Sequence, residues 1–384
     1  NGVHYPTWIA EEWGKVYEEI TGSRNFDQTN RALWEKLYNV DDKVIYEVKK
    51  GLKARLFSTI RRMLQSEMIE KHVSPRTLLN ISTHLDEKVL TIGFARRFAT
   101  YKRANLLFRD LDRLERLVNN PEKPVQFIYA GKAHPNDGGG QDLIKRIFEV
   151  SQMPQFTGKI IFLENYDLEM AKNLVRGVDV WLNTPTRPLE ASGTSGEKAV
   201  MNGTIHFSVL DGWWVEGYRA FAGWALPKKR IFENQDLQDD VDAETIYNVL
   251  ENEIIPAYYS FDDNGIPVEW ISLIKNTMVK IAPEFTMKRM IDDLGIQNKP
   301  LGSIIETLKT IARRPGRGGI FPFQVIRAFD RYRGGFDHFR TEFADYRKGH
   351  TYLDPIYIIC MVEKNNLLLR SYRIVFPPQY IRDN

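Results

Sequence analysis

The sequence predicts an α/β protein built on a doubly wound, Rossmann-like parallel sheet. First, between residues 85 and 227, short runs of β-branched and aromatic residues alternate with helical patterns at intervals of ~25–40 residues. Second, one such run, Val178-Asp179-Val180-Trp181-Leu182, leads into the glycine turn Glu190-Ala191-Ser192-Gly193-Thr194-Ser195-Gly196-Glu197-Lys198 and then into helical Lys198-Ala199-Val200-Met201. Third, another, Val89–Phe94, leads into the basic run Arg96-Arg97-Phe98-Ala99-Thr100-Tyr101-Lys102-Arg103. Open parallel sheets bind ligands beyond the C-terminal ends of their strands, so both segments fall where a ligand would sit.

The elements follow in order. Residues 1–84 read as a helical segment: apolar residues recur at three- and four-residue spacing from Trp8 onward, over Ala32–Leu37 and over Asp42–Met68. Residues 85–227 read as the Rossmann-like domain, with strands expected at Val89–Phe94, Val125–Tyr129, Lys159–Leu163, Val178–Leu182 and Thr204–Val209. Helices are expected between them at Arg103–Leu117, Gly140–Gln152 and Leu168–Gly177. Residues 228–293 return to closing helices, expected at Ala243–Ile255, Ile271–Ile281 and Phe285–Leu294. The tail, 294–384, is arginine-rich, broken by Arg313-Arg314-Pro315-Gly316-Arg317-Gly318-Gly319, and stays unassigned.

Composition narrows the function classes. The chain has 384 residues, 43% hydrophobic and 27% charged, ordinary for a globular protein with a sizeable core. A net charge of +3 gives no reason to expect nucleic acid or membrane as a partner. No apolar stretch approaches the ~20 residues of a membrane span. The one cysteine, Cys360, excludes an intrachain disulfide framework and fits a reducing compartment. His134 and His206 lack partners at metal-ligand spacing, and Trp213-Trp214 reads as a core pair rather than a sugar platform.

The two loop segments carry the chemistry. A strand feeding a glycine turn at a helix start presents unpaired N–H groups to an anion. Glu190, Ser192 and Thr194 add a carboxylate and two hydroxyls suited to sugar hydroxyls or phosphate oxygens. Lys198, read as a first-turn cation opposed by the helix dipole, needs another reason to be there. A polar loop closing an α/β unit accounts for this segment equally well when taken alone. The basic run would meet phosphate through bidentate arginine contacts and the lysine point charge, or else form a solvated helix start. Together the segments point to two anions facing one crevice.

These segments resemble a known family. Leu189 through Gly203 is similar to the pyridoxal-phosphate lysine segment of the α-glucan (glycogen, starch, maltodextrin) phosphorylases, in the Thr-Ser-Gly-x-Lys form of the bacterial short branch. The run ending in Tyr101-Lys102-Arg103 resembles that family's phosphate-recognition segment. Phe127 through Pro135, Phe162-Leu163-Glu164-Asn165-Tyr166 and Val209 through Trp214 match further family segments in order. Asn1-Gly2-Val3-His4 with Pro6-Thr7-Trp8 resembles a mid-chain motif, so the family's N-terminal half is expected to be missing.

The resemblance implies the C-terminal domain of a two-Rossmann (type B) glycosyltransferase fold, with flanking helices. It implies phosphorolysis of α-1,4-glucan to α-glucose 1-phosphate with retention, using pyridoxal 5'-phosphate, with the isolated chain weak or inactive. Lys198 would form the Schiff base, and the cofactor phosphate rather than the ring would handle the proton. Arg97 and Lys102 would hold the substrate phosphate, and Tyr166, Thr194 and the Gly193 backbone the cofactor phosphate. Glu190, Ser192 and Asn1 would read the hydroxyls of the glucosyl unit. Three positions depart from the family pattern: Glu197, where an apolar or Met residue is usual; Asp167, where many members carry Arg; and Ala99, in place of the animal-type histidine. The implied partners are α-1,4-glucan and inorganic phosphate, with no nucleic acid or membrane; a homo-oligomer is left open, and the location expected is cytoplasmic. A nucleotide-sugar glucosyltransferase of the glycogen synthase type and a non-catalytic glycan- or phosphate-binding fragment are the alternative readings.

Overall fold

A computed structural model describes residues 1–70, 85–226 and 232–293, together with three short strands in the tail. The chain divides into two compact units, Asn1–Arg289 and Met290–Asn384. In the second unit, Arg327–Asp330 pairs in parallel with Ile359–Glu363, which pairs antiparallel with Asn366–Leu369. The arginine-glycine break expected at 313–319 lies outside the described residues.

The first unit is organised by a six-stranded sheet, all parallel: β1 Leu90–Ala95, β2 Val125–Ala130, β3 Ile160–Leu163, β4 Val180–Asn183, β5 Ile205–Val209 and β6 Trp224–Leu226. Every residue of β1, β2, β4 and β5 is buried, as helices on both faces require. This is why these strands read as continuous apolar runs rather than alternating ones. The strand order is β3-β2-β1-β4-β5-β6. The chain winds outward from β1 in one direction and from β4 in the other, so the crevice lies beyond the C-terminal ends of these two strands. They are held together by the Ile92–Val180 and Gly93–Trp181 register.

Two helices differ from expectation. Instead of one helix over Arg103–Leu117, two 3-10 turns at Thr100–Lys102 and Leu106–Arg109 precede a helix at Leu111–Val118. Arg103 takes a left-handed φ of 47°, and its buried guanidinium donates to the Thr184 (2.9 Å) and Pro185 (3.0 Å) carbonyls. It also pairs with Asp239 and Asp242, so the backbone bends to seat it, and Asp110 caps the helix that follows. The second difference is Gln235–Val249, which starts well before the expected Ala243. Asn234 caps it, accepting from the N–H groups of Asp236 and Leu237. Its acidic face binds Arg103, Arg109 and Arg113, contacts that periodicity does not register. A π turn, Leu250–Ile254, then carries it into Ile255–Tyr258.

One hydrophobic core runs from Val3 to Phe285. The long helix Asp42–Glu70 lies against Leu168–Gly177, so closely that a Cβ on Gly177 would stand 2.6 Å from Leu56 Cβ. Two lysines of the long helix are buried at the N-terminal end of the sheet. Lys49 Nζ donates to the Arg176 carbonyl (2.9 Å), the Val178 carbonyl (3.1 Å) and Thr204 Oγ1 (2.9 Å). Lys53 Nζ donates to Asp179 Oδ2 (2.6 Å), the Val89 carbonyl (2.6 Å) and the Tyr258 hydroxyl (2.9 Å). The N-terminal helices are tied down by Asn202, which accepts from the Ala10 N–H (2.8 Å) and donates to the Trp8 carbonyl (2.9 Å).

Candidate functional site

Beyond β1 the chain bends at Arg96, whose guanidinium lies 5.9 Å from the Phe94 ring centroid, and the Phe98 ring lies 6.2 Å from that of Phe94. Phe98 is fully buried, and Arg96 follows it inward while Arg97 is exposed. Arg96 Nη2 donates to Glu190 Oε2 at 2.6 Å, and Arg96 Nη1 bonds Asn183 Oδ1 at the end of β4. Lys102 Nζ donates to the same carboxylate, 2.9 Å to Oε2 and 3.2 Å to Oε1, and lies 4.6 Å from the Tyr101 ring centroid. The switch point thus holds a buried cation–carboxylate–cation cluster.

Glu190 is positioned through its backbone, whose N–H donates to Asp211 Oδ2 at 2.9 Å, while Asp211 Oδ1 accepts from the Gly212 N–H. Burial would raise the Glu190 acid, but Arg96 and Lys102 outweigh it and hold the group below the usual carboxylate range. The Lys102 ammonium is pushed down to about 8, first by burial and then by Arg96, with Glu190 opposing and Arg97 adding to the fall. One carboxylate does not balance the cations around it.

The second segment forms the helix Thr194–Val200, entered through Gly193 at φ 84°, a left-handed conformation that suits glycine. The helix begins four residues before Lys198, which therefore lies in its last turn, where the dipole favours a cation. The dipole conflict read from the sequence is corrected. Burial is what sets this lysine apart: it pushes the amine down to about 8, with Glu197 pulling the other way. Lys198 Nζ stands 4.0 Å from the Trp8 ring centroid. Glu197 is fully buried, neither carboxylate oxygen has a hydrogen-bond partner among the described residues, and burial raises its acid to about 7.

Gly196 is required by contact. A Cβ there would lie 2.7 Å from His206 Cε1 and 2.7 Å from Trp213 Cζ2, both buried. Gly196→Ala is expected to cost about 1–3 kcal/mol of stability by overpacking. Thermal unfolding checks this, and an unchanged midpoint would mean that the two rings give way.

The remaining positions sort by geometry. Tyr166 is half-buried, and burial pushes its hydroxyl up to about 12 while Arg96 draws it back, so it shares the field of the cluster. Ser192 Oγ is buried without a partner among the described residues, and Thr194 is half-buried at the helix start. Arg97 bonds Tyr101 rather than the carboxylate of Glu190. Asn1 is exposed, and its carbonyl accepts from Arg289 Nη2 at 2.5 Å. Asp167 caps Leu168–Gly177, accepting from the Met170 N–H at 2.8 Å, which accounts for an acid at that position. Trp213 and Trp214 are core residues, His206 is buried beside them, and His134 is exposed. Arg96 and Asp211 were not assigned from the sequence; for Arg96 the available signal was its even spacing from Phe94 and Phe98. Among the described residues, no group of three or more His, Cys, Asp or Glu could hold a metal, and no helix is long and apolar enough to cross a membrane.

Residues 26–222 match the family model described as carbohydrate phosphorylase. The chain is 46% identical over 295 residues to a glycogen phosphorylase of Aquifex aeolicus, covering 76% of this chain and 42% of that protein. It is 43% identical over 295 residues to a maltodextrin phosphorylase of Thermococcus litoralis, covering 76% of this chain and 34% of that one. It is also 39% identical over 293 residues to a glycogen phosphorylase of Mycobacterium tuberculosis, again 76% and 34%. The chain therefore spans less than half the length of these relatives.

Proposed function

The chain belongs to the carbohydrate phosphorylase family, and from that premise we propose that it serves the phosphorolysis of α-1,4-glucan to α-glucose 1-phosphate, with retention at C1, using pyridoxal 5'-phosphate carried by Lys198. The observation that carries the reading is the cation surplus at the β1/β4 switch point, where buried Arg96 and Lys102 both close on the single carboxylate of Glu190. The residues fit a phosphorylated aldehyde. Lys198 offers an amine depressed to about 8, and buried Arg96 Nε and Ser192 Oγ lack hydrogen-bond partners among the described residues. A Schiff base needs a neutral amine, and burial brings that form within reach of neutral pH.

When bound, the cofactor supplies a phosphate that can exchange a proton with the substrate phosphate. Lys102, Arg96 and Arg97 hold the substrate phosphate and neutralise the repulsion between two anions in contact. Tyr166, Thr194 and the Gly193 backbone orient the cofactor phosphate. Glu190 and Ser192 position the glucosyl unit through its hydroxyls, with Asn1 at the C6 hydroxyl. In that setting the glycosidic oxygen gains a proton from the substrate phosphate, the C1–oxygen bond breaks, and a phosphate oxygen bonds C1 on the same face.

Lys102→Ala and Arg97→Ala are each expected to weaken phosphate use by roughly tenfold to a hundredfold, the worth of one charge-assisted contact. The phosphate dependence of the rate, measured with these substitutions in a full-length context, checks this. An unchanged dependence in both would make the basic run a solvated surface. Uptake of nucleotide sugar in place of phosphate would favour the synthase-type alternative.

A further inference from the structure

The donors of the switch-point cluster already hold an anion, and that anion is Glu190. Its Oε2 accepts from Arg96 (2.6 Å) and Lys102 (2.9 Å), and its Oε1 accepts from Lys102 (3.2 Å). Only 7% of Glu190 is exposed, so these bonds are not diluted by solvent. Its backbone is fixed separately, by Asp211, which leaves the side chain free to change partners without moving the turn.

A permanent structural ion pair would satisfy the groups around it. Here, among the described residues, Arg96 Nε and Ser192 Oγ stay buried and unbonded, and two cations, Arg96 and Lys102, share one carboxylate. The cluster is short of negative charge with Glu190 in place, and an arriving phosphate must compete with Glu190 for the same N–H donors. A carboxylate committed to two cations is also a poorer acceptor for sugar hydroxyls, because three of its roughly four lone-pair sites are taken.

We propose that Glu190 is an internal anionic latch: without substrate it occupies the donors of Arg96 and Lys102, and phosphate displaces it, releasing its carboxylate to the hydroxyls of the glucan. The latch rests on the proposed reading that phosphate binds at this cluster. It adds a coupling between the two substrates, since phosphate binding frees the sugar acceptor. By linkage, sugar that engages Glu190 must raise phosphate affinity by the same factor.

The test is calorimetric titration of inorganic phosphate into the wild-type chain and Glu190→Gln, with and without saturating maltose. Tryptophan fluorescence confirms the fold. Glu190→Gln keeps the shape and removes the competing charge, so phosphate should bind roughly tenfold to a hundredfold tighter, by the strength of the charge-assisted bonds released. Maltose should tighten phosphate binding in the wild type and not in the variant. Unchanged or weaker phosphate binding in folded Glu190→Gln overturns the latch. Should that variant fail to fold, the wild-type coupling decides, and phosphate affinity indifferent to maltose overturns the proposal. Failure of the underlying reading looks different: phosphate then binds neither protein, or binds without loss in Lys102→Ala. A cluster that takes phosphate through Lys102, yet gains nothing from Glu190→Gln, leaves the function standing and removes the latch.

Discussion

Lys198→Ala is expected to abolish covalent attachment of pyridoxal phosphate and, with it, all cofactor-dependent turnover. The loss is complete rather than graded, because no other side chain of the helix Thr194–Val200 carries an amine. The fold should survive, since alanine is a good helix residue and the lysine's polar end lies over the Trp8 ring without a hydrogen bond among the described residues. Borohydride reduction after incubation with the cofactor, followed by peptide mapping, gives the answer. A reduced adduct on the Lys198 peptide of the wild type and none in the variant is expected; an adduct on a different lysine removes the assignment. The pH dependence has a definite sign. The ammonium form cannot attack a carbonyl, so attachment should speed up by about tenfold per pH unit below the amine's pKa. It should level off above about 8, the value to which burial brings Lys198. The same depression makes the charged amine a burden on the folded state. Between about 8 and 10.5, the unfolded chain binds the proton that the folded chain has released, so this group's contribution to stability rises with pH across that window.

The second large effect is on folding. Asp179→Ala should destabilise the first unit by about 3–5 kcal/mol, because it removes the carboxylate that pairs directly with the buried Lys53 ammonium. Lys53 and Asp179 side chains are 3% and 6% exposed and meet at 2.6 Å, and Asp179 Oδ2 also accepts from the Thr91 N–H. A loss of that size lowers the melting midpoint by on the order of 10 °C in a unit of this length. The double replacement Lys53→Met with Asp179→Leu removes both charges and should recover much of the loss, short of the Thr91 hydrogen bond. A single Asp179→Ala that melts with the wild type would mean that Lys53 discards its proton at little cost.

Much of the architecture was legible in the residues. Five of the six strands and the helix Leu168–Gly177 lie where the apolar runs and helical periods put them, because strands covered on both faces must be apolar throughout. β6, three residues long, is too short to carry a pattern. The start of Gln235–Val249 and the break after Lys102 were not legible, because both are set by Arg103 and its distant acidic partners rather than by local periodicity.

The sequence by itself determined the sheet, its family and the two loops proposed to form the site, because burial pattern and glycine turns are local properties. Only the tertiary structure decided which cation of the basic run turns inward, that Lys198 is depressed by burial rather than set against the helix dipole, and that Glu190 closes on Arg96. Those two residues are separated by 94 positions and meet because β1 and β4 are neighbours at the point where the winding reverses. Desolvation and ion pairing act through space, so they become readable only when the strands have been laid side by side.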